Sequence, residues 1–286
     1  MDELYIFGIF VLGVIIFGII NRKNIEIKPG IWIPIPFTKH KLPIIYMVLW
    51  HTTFGLKWLK KAVLRHKMFF RWVGSVSVFL AICAVIMTAY ALIKNITDMI
   101  LVPEMVTGTT VMLVLPFKTQ TQMYVPIIYW LISIFVIAVV HEGGHAALAM
   151  AHRIPIKSAG LAFLCLGIPV IPAAFVQPDA TVVPKKTKQQ QLGFFSAGSG
   201  FNMVVGILFL GVFLLIRQYD VLWLSKLFFW LTLLNLGVGM FNVLPIFPLD
   251  GGHMVHAMVK ESKKETLIVG VFSIFFLVLL ASPYFL

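Results

Sequence analysis

The chain has 286 residues, of which 60% are hydrophobic and 12% charged, and it carries a formal net charge of +12. A soluble domain is nearer half apolar and a quarter charged, so this composition excludes an ordinary soluble domain and predicts a polytopic membrane protein. The basic residues fall in loops between apolar runs, which argues against a nucleic-acid partner and for membrane topology and a bilayer with anionic lipid.

A helix that crosses a bilayer needs about 20 mostly apolar residues. Six runs meet that length in chain order: 4–20, 69–93, 125–150, 193–216, 223–245 and 266–285. The first follows Met1-Asp2-Glu3 with no basic leader and no small-residue cleavage site, and reads as a retained span. After it, 43–56 (PIIYMVLWHTTFGL) is apolar, aromatic and too short to cross; it predicts an interfacial or partly inserted helix. The segment 107–124 alternates β-branched and polar residues, which predicts short strands at the outer surface.

Residues 159–178 (AGLAFLCLGIPVIPAAFVQP) are long enough to span but contain Pro169, Pro172 and Pro178. If they spanned, Arg153 and Lys157 would lie on the opposite side from Lys185, Lys186 and Lys188. A re-entrant hairpin keeps those charges together. The other charge-rich loops hold Arg22, Lys23, Lys57, Lys60, Lys61, Arg65 and Lys67, and then Lys260, Lys263 and Lys264. Between them lie poor loops with Lys94 and Lys118, or Arg217 and Lys226. The alternation puts the rich loops in the cytoplasm and both termini outside, in an integral multi-pass protein of the cell membrane.

The expected fold is therefore an all-α membrane bundle of about six transmembrane helices with small β-strands and a re-entrant hairpin. It divides into an N-terminal membrane region (1–106), a core (107–260) and a C-terminal span (261–286). Cys83 and Cys165 sit in apolar surroundings, form no CxxC pair and read as buried hydrophobes.

The third run ends in VVHEGGHAALAMAHR, residues 139–153. His141 and His145 are four apart and share one helical face, so two imidazoles can reach one zinc ion. Glu142 lies between them, where a carboxylate can act as general base toward a zinc-activated water. Ionisable groups in lipid cost a few kcal/mol each on insertion scales and mark function. His152 is seven residues past His145, about 10 Å along the axis, too far for the same ion on a straight helix. A catalytic zinc needs a third protein ligand. Asp250, in FNVLPIFPLDGGH, is the other intramembrane carboxylate, on a chain broken by Pro245 and Pro248. His253 is its rival, because both can face inward. The charge rule places this segment and the end of the third span at similar depth.

HEGGH, followed by Asn242-x-x-Pro245-x-x-x-x-Asp250-Gly251, resembles the site-2 protease family of intramembrane zinc metalloproteases. PAAFVQPD at 172–179 is similar to the family segment after the metal helix. AGSGFN at 197–202 resembles the AGPxxN motif, with Ser199 where proline is usual. LVLPF before the third span fits the archaeal and eukaryotic branch. The resemblance covers about residues 107–260. It implies His141, His145 and Asp250 as ligands of Zn2+, Glu142 as catalytic base, and Asn202 and Asn242 in binding or polarising the substrate backbone.

The function expected is hydrolysis of peptide bonds within or at the edge of transmembrane segments. Substrates would be single-span membrane proteins, including membrane-tethered regulators. Hairpin 159–178 would offer a strand edge to an unwound substrate. Two other readings use the same composition. A zinc transporter needs intramembrane histidine and carboxylate but not the glutamate between the histidines. A non-catalytic scaffold on the same fold has no need of the full set.

Overall fold

The computed structural model describes residues 3–34, 41–101, 114–116, 123–166, 168–219 and 221–282. The first apolar run folds as helix α1, Glu3–Ile20, with none of its side chains buried. After a short turn, strand β1 (Ile25–Pro34) pairs with β2 (Lys41–His51) in an antiparallel ladder running from Ile25↔Trp50 to Pro34↔Lys41. Most of the stretch expected as an interfacial helix at 43–56 is thus a strand, and this expectation is corrected. Its β-branched and aromatic residues fit a pleated surface, and a partner waits on each side of it. The amphipathic helix comes directly afterwards as α2, Leu56–Arg65, with Val63 buried and Lys57, Trp58, Lys60 and Lys61 exposed.

Helix α3 (Lys67–Leu101) is the longest element. Of the segment expected as short strands at 107–124, the described part holds β3 (Val114–Leu115) and β4 (Met123–Tyr124), which pair in parallel; the remainder lies outside the described residues. Helix α4 (Ile127–Ala151) carries the HEGGH motif. It ends in a Schellman turn, with the Ile154 amide donating to the Ala149 carbonyl and the Arg153 amide to the Met150 carbonyl. Arg153 takes the left-handed conformation at φ 56° that this turn demands.

The chain leaves that turn as β5 (Ile156–Leu166) and returns as β6 (Ile168–Pro178). These strands form the hairpin expected at 159–178 and join the first pair in one antiparallel sheet of order β1-β2-β5-β6. Residues from the N-terminal region and from the core region therefore share a sheet.

Helix α5 (Lys188–Ile216) is the axle of the bundle and packs on α3, α4, α6 (Leu222–Asn242) and α7 (Asp250–Val259). Its start is set by a capping box in which Thr187 accepts from the Gln190 amide and the Gln190 side chain accepts from the Thr187 amide. The buried stretch Ser196, Ala197, Gly198, Ser199 and Gly200 lets neighbouring backbones come close, which is how helices associate in lipid, where apolar burial drives little. Helix α8 (Glu265–Ala281) closes the chain.

Among the described residues five helices, α1, α3, α4, α5 and α6, are long and apolar enough to cross a membrane. The sixth expected span is α8, apolar but 17 residues long. Helix α6 stops at Asn242, so the fifth run is shorter than expected from 223–245; Pro245 lies in the turn beyond it.

Candidate metal and catalytic site

Three elements converge on one point. Helix α4 supplies His141 and His145 one turn apart, and the first residue of α7 supplies Asp250. The two Nε2 atoms are 3.2 Å apart, and Asp250 Oδ2 is 3.2 Å from His141 Nε2 and 3.4 Å from His145 Nε2. Helix α5 forms the floor. Gly198 faces the imidazoles so closely that a β-carbon there would fall 2.5 Å from His145 Nε2 and 2.6 Å from His141 Nε2.

The outer nitrogens are held as well. His145 Nδ1 is 2.9 Å from the Phe194 carbonyl, an acceptor, so this nitrogen carries the hydrogen and Nε2 presents its lone pair. His141 Nδ1 faces the side-chain amide of fully buried Asn202 at 3.3 Å, while Asn202 Oδ1 has no partner. Turning that amide over places Oδ1 on the ring N–H and gives the orphaned oxygen a donor. Both inner nitrogens are then lone-pair donors.

Two such nitrogens and a carboxylate oxygen at these separations repel unless a cation lies among them. Tetrahedral zinc, with bonds of about 2.0–2.1 Å, sets its ligand atoms about 3.3 Å apart. The observed spacing matches this value, so the donor set fits the ion. The three residues also form the one potential metal-holding group found among the described residues.

Glu142 sits beside this cluster, and its Oε2 accepts the Val176 amide of β6 at 2.8 Å. Strand β6 is the edge of the sheet, so this bond comes from its unpaired side. By strand alternation Ala174 presents its amide and carbonyl to the same side, while Pro172, two residues further, has no amide to offer.

Sequence reasoning left Asp250 and His253 as rivals, and the structure separates them. Asp250 stands with the histidines, whereas the His253 ring stacks on Phe195 at 5.1 Å and lies against Phe247. Asn202 lies on His141, and half-buried Asn242, at the end of α6, has no hydrogen-bond partner for its amide among the described residues. Three contributors were not anticipated. Ser199 Oγ donates to Asp250 Oδ2 at 3.3 Å, the Phe194 carbonyl orients His145, and Gly198 leaves room for both rings. The small-residue run AGSG was the available signal for the last of these. No local signal marks a backbone carbonyl.

Comparison with known proteins agrees with this geometry. The sequence model of peptidase family M50 matches residues 129–222 and 217–282, together more than half of the chain. The chain is also 30% identical over 139 residues to zinc metalloprotease MJ0392 of Methanocaldococcus jannaschii. The alignment covers 47% of this chain and 36% of that protein, so the chain spans little more than a third of the relative's length.

Proposed function

The chain belongs to peptidase family M50, the site-2 protease family, and we propose that it is a zinc metalloendopeptidase that cuts transmembrane segments of single-span membrane proteins. The observation that carries this reading is the convergence of His141, His145 and Asp250 with Glu142 alongside, on helices of an integral membrane protein.

His141, His145 and Asp250 would hold the zinc, and Asn202, Phe194 and Ser199 fix the orientation of those ligands. Zinc bound there supplies Lewis-acid polarisation and lowers the pKa of water. Glu142 takes the proton of the attacking water and returns it to the departing amine. The unpaired amide of Asn242 is suited to binding the substrate backbone or a developing oxyanion.

An intact helix hides its amides, so the substrate must unwind before it is cut. The outer edge of β6 offers the amide and carbonyl of Ala174 and the carbonyl of Val176 to such an extended chain, and the Val176–Glu142 bond ties that edge to the catalytic carboxylate. Between α1, α4 and the hairpin lies an apolar cavity of about 330 Å³ lined by Phe10, Leu131, Phe135, Phe163 and Pro172, which suits the remaining apolar part of a substrate segment. The distribution of basic loops supports placement in the cell membrane with the site toward the cytoplasm. Membrane-tethered regulators are the substrate class this placement favours.

The test uses the purified full chain. It should contain one zinc and cleave single-span proteins; phenanthroline should abolish cleavage and added zinc restore it. Asp250→Ala should empty the site while His253→Ala keeps its metal. Zinc flux through sealed vesicles with no proteolysis would overturn the proposal in favour of a transporter.

A further inference from the structure

A second cavity, this one polar, lies at the end of the bundle where α4 stops and α3 and α5 start. It has a volume of about 210 Å³, and its walls include Arg71 and Ser75 of α3, His152, and Thr187, Gln189 and Gly193 at the beginning of α5. It is separate from the metal centre. His152 is seven residues beyond His145, about 10 Å along the helix axis.

The charge around this cavity is of one sign. Lys67, Arg71 and Lys186 all act on His152, and Arg153 lies within electrostatic range of Lys67. Among the described residues, none of these four cations forms an ion pair. Two acidic groups close to the start of α5 are already engaged: Asp179 with Lys157, and Glu261 with Lys188. Among the described residues, Arg71 and Lys186 reach only backbone carbonyls, those of Ala151 and Arg153. His152 Nε2 lies beside Gly193 of the cavity wall, 3.7 Å from where a β-carbon there would stand. The first turn of α5 adds the unpaired Gln189 amide on the positive side of the helix dipole. Converging cations with no counter-ion repel one another. A multivalent oxyanion offsets that repulsion.

The depth of the cavity indicates where such an anion comes from. Trp72, next to Arg71, is exposed, as are Trp58 of α2, Met68 and Phe69. Exposed aromatics beside basic residues mark the level of lipid headgroups, and α2 presents Lys57, Lys60 and Lys61 at the same end.

We propose that this cavity is a binding site for a phosphate group, held by Arg71, His152 and the first turn of α5 and carried by an anionic phospholipid headgroup or by free inorganic phosphate. Arg71 supplies a planar fork to the phosphate oxygens, and His152 supplies the N–H of Nε2.

The experiment follows thermal unfolding of the full chain in detergent during titration with phosphatidylglycerol, phosphatidylcholine or inorganic phosphate. Stabilisation by phosphatidylglycerol and not by inorganic phosphate identifies the lipid as the source; the reverse identifies the free anion; a response to both supports the shared chemistry. In each case Arg71→Gln and Gln189→Glu should weaken the response about tenfold, the loss expected for one charge-assisted hydrogen bond. Gln189→Glu guards against misfolding, because a carboxylate in the first turn favours the helix while it repels phosphate. Lys60→Gln with Lys61→Gln, on the exposed face of α2, should keep the response. The proposal is overturned if neither phosphate source shifts the midpoint beyond phosphatidylcholine. It is equally overturned if the two cavity variants respond like the parent, or if the α2 variant loses the response as they do.

Discussion

Helices α1 and α4 are both apolar spans, and α1 is the more apolar of the two. Yet α1 has no buried residue, whereas α4 buries Gly144, His145, Ala146, Ala147, Leu148 and Ala149 in succession, and then Ala151. Leu12, Ile16 and Ile19 of α1 face outward to lipid. In water the more apolar helix would be the buried one. In a bilayer, lipid tails solvate leucine as well as a protein interior does, so apolarity decides nothing. What buries α4 is the combination of small residues, which admit the α5 backbone, and polar side chains, which need partners. The end of α4 that carries the HEGGH motif is thus enclosed by protein, and α1 is attached mainly by side contacts to β6 and α4.

The largest effect expected from this contrast is on chemistry. Glu142→Gln keeps every ligand and removes the base, so cleavage should fall about 10²–10⁴-fold while zinc content, measured by elemental analysis, stays constant. Full cleavage by a homogeneous preparation of that variant would refute the assigned role.

Gly198→Ala should come next. Its β-carbon would meet both imidazoles, so metal occupancy should drop about tenfold or more, the scale seen when residues supporting metal ligands are altered. Unchanged zinc affinity would mean that the rings have room to retreat.

A third prediction compares glycines across the two helices. A β-carbon at Gly144 would lie 2.7 Å from the Ala197 carbonyl oxygen and force α4 from α5. Gly144→Ala should therefore cost about 1–3 kcal/mol in unfolding measured in detergent. Gly13 of α1 has nothing within 4 Å of its β-carbon position. Gly13→Ala should leave stability unchanged or raise it by up to about 1 kcal/mol through helix propensity. Equal losses at the two positions would erase the distinction between the helices.

The smallest effect concerns pH. Burial, with Arg71, Lys186 and Lys67 adding to it, pushes the His152 imidazole down to about 4, against about 6.5 in the unfolded chain. Between these values the unfolded state binds more protons. The stability contributed by neutral His152 is therefore complete above about pH 6.5 and is lost as pH falls toward 4. Thermal midpoints measured from pH 8 to 4.5 should show this slope, and His152→Gln should flatten it. An anion in the neighbouring cavity should move the transition to higher pH.

The amino-acid sequence by itself determined the membrane class, the long spans and the placing of His141, Glu142 and His145 on one helical turn. All of these rest on local rules. Length and composition identify a span, and spacing of four residues puts two side chains on one face. Tertiary structure decided what depends on distant partners. The expected helix at 43–56 became strand β2 because β1 lies on one side of it and β5, more than a hundred residues later, on the other. Asp250 rather than His253 came to stand beside the histidines because the turn after α6 and the packing of α7 on α5 direct the first residue of α7 inward. Ser199, the Phe194 carbonyl and the open space at Gly198 entered the site for the same reason. Their value lies in α5 passing within contact of α4, and no pattern within either helix records that proximity.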